Sequence, residues 1–288
     1  MEKKLIHLYH DYSKGNISRR EFLKKLTILA GGTAAAITLL PVIEKKYAQA
    51  QFIPENDSRL ETETVQYPGE TGKVQAYSAK PKESQKLPAV IVIHENRGLV
   101  PHIKDVTRRV ALEGFVALGP DALSPLGGTP EDPDESRTLM RKLDRDDTVK
   151  NFAAAVKYLK THPQTTGKVG CMGFCWGGGV TNQVAVHAPD LTAAVPFYGS
   201  QPDSEDVPKI NASLLCHYGS LDERINAGIP EFEKVLKQAG IEYKMHMYEG
   251  AKHAFFNDTR PDRYHEEASK LAWERTIAFF KEKLKNSS

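Results

Sequence analysis

Short continuous apolar runs alternate with longer amphipathic segments along most of the chain. The run at residues 88–94 is apolar up to its final histidine, which is typical of a strand buried on both faces of a parallel sheet. Residues 229–239 instead place apolar side chains at helical spacing, and Gly240 follows as a C-cap signal. Strands that alternate with helices predict an α/β protein with a mostly parallel, doubly wound sheet flanked by helices.

The same patterns predict about eight strands and five helices in one domain, because no internal repeat or interdomain linker interrupts them. The first two strands are predicted to form a hairpin through residues 68–72. Within the first helix, the spacing predicts that Arg108 and Arg109 face solvent. The predicted strands are 62–67, 73–78, 88–94, 115–118, 168–173, 193–198, 213–218 and 243–247, and the predicted helices are 103–112, 134–160 with a break near 144–147, 180–187, 229–239 and 261–285.

Composition and charge argue against a nucleic-acid-binding protein, a disulfide framework and a zinc site. The chain has 288 residues and a formal net charge of +2, and no basic stripe interleaved with aromatic residues indicates a nucleic-acid partner. The three cysteines have neither the spacing of a disulfide framework nor that of a zinc site. Cys171 and Cys216 lie inside apolar runs and are predicted to be inert core thiols. Cys175 instead lies in a glycine-rich turn.

The first 50 residues have the features of an export signal. Arg19 and Arg20 are followed by Phe-Leu-Lys, and a small and apolar run then leads to Ala48-Gln49-Ala50, where small residues mark a signal peptidase site. The paired arginines resemble the twin-arginine export signal of bacteria. A helix with two surface arginines is the alternative interpretation.

From these features we predict three segments. Residues 1–50 are a twin-arginine signal peptide cleaved after Ala50, residues 51–61 are a flexible lead, and residues 62–288 are the folded domain. The predicted location is the periplasm or another extracytoplasmic compartment, without stable membrane association after cleavage. An uncleaved anchor is the alternative left open, because the apolar run is marginal as a membrane span.

The glycine-rich turn carries the first candidate for chemistry. Cys175 is flanked two residues away on each side by Gly173 and Gly177, between a predicted strand and a predicted helix. This arrangement is typical of a nucleophile elbow, with sulfur in place of the usual hydroxyl. Glycine-rich turns after strands are common, so the motif needs a base and an acid elsewhere in the chain to indicate catalysis.

An acid and a base follow two later strands. Asp222 comes just after the strand at 213–218, and His253 comes just after the strand at 243–247. Each has an ordinary structural interpretation on its own, but nucleophile, acid and base in this order match the catalytic triad of α/β-hydrolases. His253 is expected to take the thiol proton of Cys175, and Asp222 to orient the imidazole. Pairing with histidine is expected to lower the thiol pKa and give a thiolate at neutral pH.

The loop after the strand at 88–94 provides further candidates, because carboxyl ends of parallel strands meet at one edge of a sheet. Glu95 is either a carboxylate that reaches the sulfur or a solvated loop acid. The backbone N–H groups of Trp176 and Asn96 occupy the two positions at which this fold forms an oxyanion hole.

Taken together, Cys175, Asp222 and His253 with the early segment His94-Glu95-Asn96-Arg97-Gly98 resemble the dienelactone hydrolase family. The resemblance covers about residues 62–284. It implies an α/β-hydrolase fold without a separate lid domain, and hydrolysis of an ester or lactone through an acyl-cysteine. It also implies that no metal or cofactor takes part, and that Glu95 holds the resting thiol until substrate arrives.

The chain departs from the family pattern where the founding enzymes bind a substrate carboxylate. The loop after residues 115–118 lacks an arginine, and Asn257 stands where a second arginine is expected. Either Arg97 or Arg260 is left to replace the missing arginines, and the candidates for substrate contact are Arg97, Phe255 and Asn257. Aromatic residues near the site favour a neutral, more apolar ester over dienelactone.

The predicted partner is a small-molecule ester or lactone, and the sequence leaves the oligomeric state open. Two alternative functions remain. An acyltransferase would use the same three residues with an alcohol or amine in place of water. A scaffold or binding protein would retain the fold without turnover.

Overall fold

The computed structural model describes Leu5, Leu8, Tyr9, Tyr12 and residues 17–51, 53–82 and 85–284. Most of the first 16 residues of the predicted signal peptide lie outside these described residues, as does residue 285 at the end of the last predicted helix. The chain divides into two compact units. One comprises Met1–Ile53 and Asp258–Asp262, and the other comprises Pro54–Asn257 and Arg263–Ser288.

Two helices, α1 (Arg19–Ala30) and α2 (Thr33–Gln51), form most of the first unit. Ser18 caps α1 by accepting a hydrogen bond from the N–H of Glu21, and Gly31 ends the helix in the left-handed conformation. Within the described residues, no single helix is long and apolar enough to span a membrane. Helix α1 and the Thr33–Ile43 part of α2 reach that length and apolarity only as a pair bent by 107°.

An eight-stranded sheet organises the second unit. Its strands are β1 (Leu60–Gly69), β2 (Gly72–Pro81), β3 (Leu87–Ile93), β4 (Val116–Pro120), β5 (Thr165–Phe174), β6 (Ala193–Phe197), β7 (Ser213–Gly219) and β8 (Tyr243–Tyr248). Their spatial order is β1-β2-β4-β3-β5-β6-β7-β8. Strands β3 to β8 pair in parallel, whereas β2 is antiparallel to both β1 and β4. The predicted mostly parallel sheet of about eight strands is confirmed, and β1 begins two residues before the predicted start of the domain.

Among the described residues, six α-helices of the second unit lie between strands along the chain, and a seventh follows the last strand. They are α3 (Pro101–Leu112), α4 (Pro133–Met140), α5 (Arg145–Thr161), α6 (Trp176–His187), α7 (Glu223–Asn226), α8 (Ile229–Ala239) and α9 (Glu266–Lys283). The predicted break in the long helix separates α4 from α5, where the Asp144 side chain caps α5 by accepting from the N–H of Asp147. The start predicted for the last helix, residue 261, is wrong. Pro261 lies in a turn, and His265 caps α9 by accepting from the N–H of Ala268.

The core is built on the central strands. All seven residues of β3 are buried or half-buried, and its last five are buried, as the continuous apolar run predicted. Burial also corrects the prediction that Arg108 faces solvent. Arg108 is only 3% exposed and donates a 2.9 Å hydrogen bond to the hydroxyl of Tyr77. Asp105, fully buried on the same helix, pairs with Arg109 at 2.6 Å. Helical spacing identified a polar face, but not that its charges are buried together.

Candidate active site

Strand register explains why one edge of the sheet collects the predicted residues. Ile93 pairs with Gly173, so the loop that begins at His94 lies beside the turn that holds Cys175. Gly219 pairs with Tyr248, so the loops that carry Asp222 and His253 leave neighbouring strands side by side. All these loops lie at the carboxyl ends of parallel strands, where sites in open α/β sheets form.

Cys175 lies at a strained turn between β5 and α6. Its φ of 57° and ψ of −113° place a non-glycine residue in a region that L-residues rarely adopt. The flanking glycines permit this turn because neighbouring backbone atoms approach them more closely than a side chain would allow. A Cβ on Gly173 would lie 2.3 Å from the carbonyl oxygen of Gly177, and a Cβ on Gly177 would lie 2.3 Å from that of His94. Helix α6 begins at Trp176, four residues earlier than predicted, because the turn leads directly into it.

Three side chains separated widely in sequence meet at this turn. His253 Nε2 lies 3.0 Å from Cys175 Sγ, and His253 Nδ1 lies 2.5 Å from Asp222 Oδ2. The Asp222 side chain is 6% exposed and that of His253 is 20% exposed, so the carboxylate is shielded while the imidazole remains accessible. This geometry holds the imidazole with Nδ1–H donating to Asp222 and Nε2 facing the sulfur.

The thiol of Cys175 is neutral at physiological pH. Burial raises its pKa to about 11, and the charge of Glu95 adds to the increase. The backbone N–H of Trp176 and the positive charge of Arg224 oppose this increase. The expectation of a lowered pKa is therefore wrong in this structure, because burial and a nearby carboxylate outweigh the stabilisation of a thiolate.

The carboxylate of Glu95, whose charge acts on the sulfur, is held by a residue that follows β8 in the chain. Asn257 Nδ2 donates a 2.6 Å hydrogen bond to Glu95 Oε2. The other carboxylate oxygen, Oε1, is buried and has no hydrogen-bond partner among the described residues. Glu95 therefore keeps one oxygen for a further donor, and its position fits influence on the thiol rather than the role of a solvated loop acid.

His94 fixes the backbone of the loop that carries Glu95. Its Nδ1 lies 2.6 Å from the carbonyl oxygen of Glu95, and its Nε2 accepts from the N–H of Ala122 at 3.1 Å. Complete burial lowers its pKa, so the ring is neutral with the proton on Nδ1. The ring stacks on Trp176 with 5.3 Å between centroids. This stacking links the loop after β3 to the first residue of α6.

Comparison with known proteins now decides the family. The model of the dienelactone hydrolase family matches residues 74–284. The chain belongs to the dienelactone hydrolase family. Protein usf of Aquifex pyrophilus is 38% identical over 224 residues, which cover 74% of this chain and 94% of that protein. The "Putative carboxymethylenebutenolidase" of Saccharolobus solfataricus is 32% identical over 253 residues, covering 75% of this chain and 96% of that protein.

A solved structure supports the same fold. A dienelactone hydrolase-like promiscuous phosphotriesterase from metagenomic libraries matches with a TM-score of 0.71 and 23% identity. The match covers 79% of this chain and all of that chain. Members of the dienelactone hydrolase family are hydrolases, and the eight-stranded sheet described above is the α/β-hydrolase architecture expected of one.

The three residues predicted to contact substrate differ in how exposed they are. Phe255 is fully buried and packs against Phe197 and Tyr198, so the expectation that it lines a substrate pocket does not fit its burial. Asn257 is 4% exposed, and its amide is engaged with Glu95. Arg97 is half-buried, in the turn after β3 that also carries the exposed Asn96.

Two features of the site were missed in the sequence. Tyr198 has a φ of 39° and packs its ring edge-on against the imidazole of His253, with 5.1 Å between centroids. Arg224 lies close enough for its charge to act on Cys175, although nothing in its local sequence distinguishes it from a surface arginine. Its place two residues after Asp222, in the turn-like helix α7, was the available signal.

No cluster of three or more His, Cys, Asp or Glu side chains is arranged to hold a metal ion in the part of the chain that the structure describes. The expectation of catalysis without a metal or cofactor stays a prediction.

Proposed function

We propose that this member of the dienelactone hydrolase family cleaves a small ester or lactone through an acyl-cysteine intermediate. The observation that carries the proposal is the continuous contact from Cys175 Sγ to His253 Nε2 at 3.0 Å and from His253 Nδ1 to Asp222 Oδ2 at 2.5 Å. A thiol, an imidazole and a carboxylate in this order can move one proton during attack and return it to the leaving group.

In the acylation step, Cys175 Sγ forms a bond to the carbonyl carbon while its proton moves to His253 Nε2. Because the thiol is neutral at rest, attack and proton transfer are expected to occur together rather than from a stored thiolate. Asp222 stabilises the imidazolium that forms. The carbon–oxygen bond to the alcohol then breaks, and the leaving oxygen takes the proton from His253.

In the deacylation step, His253 removes a proton from water as the water oxygen attacks the thioester carbon. The carbon–sulfur bond breaks, the acid is released, and Sγ regains its proton from His253. A lactone follows the same course, except that the alcohol stays attached to the acyl group. The negative oxygen formed in each step would be held by the N–H groups of Trp176 and Asn96.

Replacement of single cysteines tests the proposal. We expect Cys175→Ala to abolish hydrolysis of short-chain aryl esters by the purified protein, with circular dichroism and melting temperature retained. Cys216→Ala is the matched control, because the Cys216 thiol is fully buried in β7. This substitution is expected to leave turnover intact. Hydrolysis that survives in Cys175→Ala would remove the mechanism.

We also propose that residues 1–50 direct export through the twin-arginine pathway. The proposal is based on Arg19 and Arg20, on the apolar run after them and on Ala48-Gln49-Ala50. Replacing both arginines with lysine is expected to keep the protein in the cytoplasm of an expressing bacterium. Sequencing of periplasmic protein is expected to find Gln51 as the first residue. An N-terminus that still contains Arg19 would contradict cleavage.

A further inference from the structure

His217 is a fully buried histidine that the proposed mechanism does not use. It lies in β7 and pairs in register with His246 of β8. Its Nδ1 lies 2.8 Å from the hydroxyl oxygen of Tyr248, the last residue of β8, and its Nε2 lies 3.0 Å from Oγ1 of Thr276 on α9. One imidazole therefore joins two strands and a helix through hydrogen bonds between side chains.

The neighbours of the His217 ring determine where its proton lies. Thr276 donates its hydroxyl proton to the carbonyl oxygen of Ala272 at 2.8 Å, so the Thr276 oxygen accepts from His217 Nε2–H. His217 Nδ1 then accepts from the hydroxyl of Tyr248, whose oxygen accepts a 3.3 Å hydrogen bond from Arg275. Burial lowers the pKa of His217 well below its ordinary value, which keeps the ring neutral. Every donor and acceptor from Arg275 to Ala272 thus has a fixed role.

The backbone of Tyr248 connects the loops of the proposed acid and base. Its carbonyl oxygen accepts a 2.9 Å hydrogen bond from the N–H of Ser220, two residues before Asp222. The same oxygen accepts from the N–H of Ala251 at 3.3 Å, two residues before His253. Both loops are therefore anchored to one residue, and the side chain of that residue is fixed by the buried network.

A series of aromatic contacts also leads from Tyr248 to the catalytic imidazole. The ring of Tyr248 packs on Phe255 with 5.1 Å between centroids, and Phe255 packs on Tyr198 at 5.3 Å. Tyr198 meets the ring of His253 edge-on at 5.1 Å. The backbone N–H of Tyr198 donates a 2.7 Å hydrogen bond to the carbonyl oxygen of His217, which helps to hold Tyr198 at its positive φ. The network is thus connected to His253 by packing as well as through its loop.

We propose that the hydrogen bond from Tyr248 to His217 sets the position of the His253 imidazole. Tyr248 and His217 are then positioning residues, which act through His253 and take no part in proton transfer. The inference rests on the proposed function and adds the support that directs Nδ1–H at Asp222 and Nε2 at Cys175. Proton transfer depends on this alignment, because a displacement of about 1 Å can lower a rate on the order of 10²-fold.

Removal of one hydroxyl tests the inference. Tyr248→Phe retains the ring that packs on Phe255 and deletes the donor to His217. We expect kcat for phenyl acetate to fall by about 10- to 100-fold. KM is expected to stay close to the wild-type value, because no group that binds substrate is removed.

A second buried tyrosine provides the matched control. The hydroxyl of Tyr67 donates a 3.1 Å hydrogen bond to the carbonyl oxygen of Asn151, and Tyr67 lies on β1, at the other end of the strand order from β8. Tyr67→Phe also removes a buried hydrogen bond, so it is expected to lower the melting temperature. It is expected to leave kcat for phenyl acetate unchanged.

A spectroscopic readout separates positioning from lost stability. The Nδ1–H proton of His253, hydrogen-bonded to Asp222, is expected to give a downfield proton NMR resonance that is absent in His253→Ala. We expect Tyr248→Phe to shift or broaden this resonance and Tyr67→Phe to leave it in place. The spectra should be recorded at a temperature at which circular dichroism shows both variants to be folded.

Three results would decide against the inference or its basis. An unchanged kcat or an unchanged His253 resonance in Tyr248→Phe would overturn it, even while loss of hydrolysis in Cys175→Ala upheld the proposed function. An equal fall of kcat in Tyr67→Phe would also overturn it, because lost stability would then explain both variants. Hydrolysis that survives in Cys175→Ala would remove the proposed function, and the resonance would still decide whether Tyr248 holds the imidazole.

Discussion

Asn257 Nδ2 donates a 2.6 Å hydrogen bond to Glu95 Oε2 across 162 residues of sequence. This contact holds a carboxylate whose charge acts on the half-buried thiol of Cys175, and it leaves the second carboxylate oxygen without a partner among the described residues. The charge of Glu95 disfavours the thiolate, so the contact helps to keep the resting sulfur protonated. A protonated thiol reacts slowly with oxidants and other electrophiles.

Removing the charge of Glu95 is expected to make Cys175 more acidic. Glu95→Gln should lower the thiol pKa from about 11, but not below its ordinary value of 9.0, because burial is the larger cause of the increase. The thiolate fraction at fixed pH then rises, and so does the rate of alkylation by iodoacetamide. The rate should be measured from pH 7 upward in both proteins. Superimposable pH profiles would contradict a role for Glu95 at the sulfur.

Asp222 is expected to act through the tautomer of His253. Asp222→Asn retains the shape of the side chain but favours the wrong tautomer, and kcat for a neutral ester is expected to fall on the order of 10³- to 10⁴-fold. Asp203→Asn, at an exposed position, is the matched control. A loss of less than tenfold in Asp222→Asn would show that the 2.5 Å contact with His253 does not serve catalysis.

The glycines around Cys175 differ in the space that surrounds them. Gly177→Ala would force a Cβ to within 2.3 Å of the His94 carbonyl oxygen, whereas Gly179→Ala would meet the movable hydroxyl of Ser200 at 2.6 Å. We expect the first change to lower the free energy of unfolding by about 1–3 kcal/mol or more. The second should cost clearly less. Urea denaturation of both variants measures the difference, and equal losses would contradict the close approach of α6 to the loop after β3.

The buried ion pair on α3 provides a test of the fold. Asp105 is fully buried against Arg109, whereas Asp134 pairs with Arg137 at an exposed position. Asp105→Ala is expected to reduce the free energy of unfolding by about 3–5 kcal/mol, because Asp105 is the fully buried carboxylate that faces both the buried Arg108 and the half-buried Arg109. Asp134→Ala is expected to change it by less than about 1 kcal/mol. A small change in the free energy of unfolding for Asp105→Ala would contradict the burial of this ion pair.

Much of the fold follows from local patterns in the sequence. The apolar run at β3 and the cap at Gly240 each reflect short-range physics, so their elements were predicted within a few residues. The position of the site was also predictable, because Cys175, Asp222 and His253 each follow a strand of a parallel sheet and such strand ends share one edge.

What the sequence could not predict depends on tertiary contacts. Arg108 is buried where it donates a hydrogen bond to Tyr77, which lies 31 residues earlier in the sequence on β2. The pKa of Cys175 depends on how deeply the sulfur is buried and on where Glu95 is held, and both depend on the assembled loops. The hydrogen bonds of His217 to Tyr248 and Thr276 are likewise visible only when β7, β8 and α9 are brought together.

The central claim is that Cys175 carries the acyl group during turnover. Rapid mixing of the protein with an aryl acetate, followed by acid quench and peptide mass analysis, tests it most directly. We predict that one acetyl group appears on the peptide containing Cys175 and that it is absent in Cys175→Ala. In His253→Ala supplied with an activated ester, the acetyl group is expected to persist on this peptide for longer. Ester hydrolysis with Cys175 unmodified at every time point, or acetyl found only at another residue, would contradict the account.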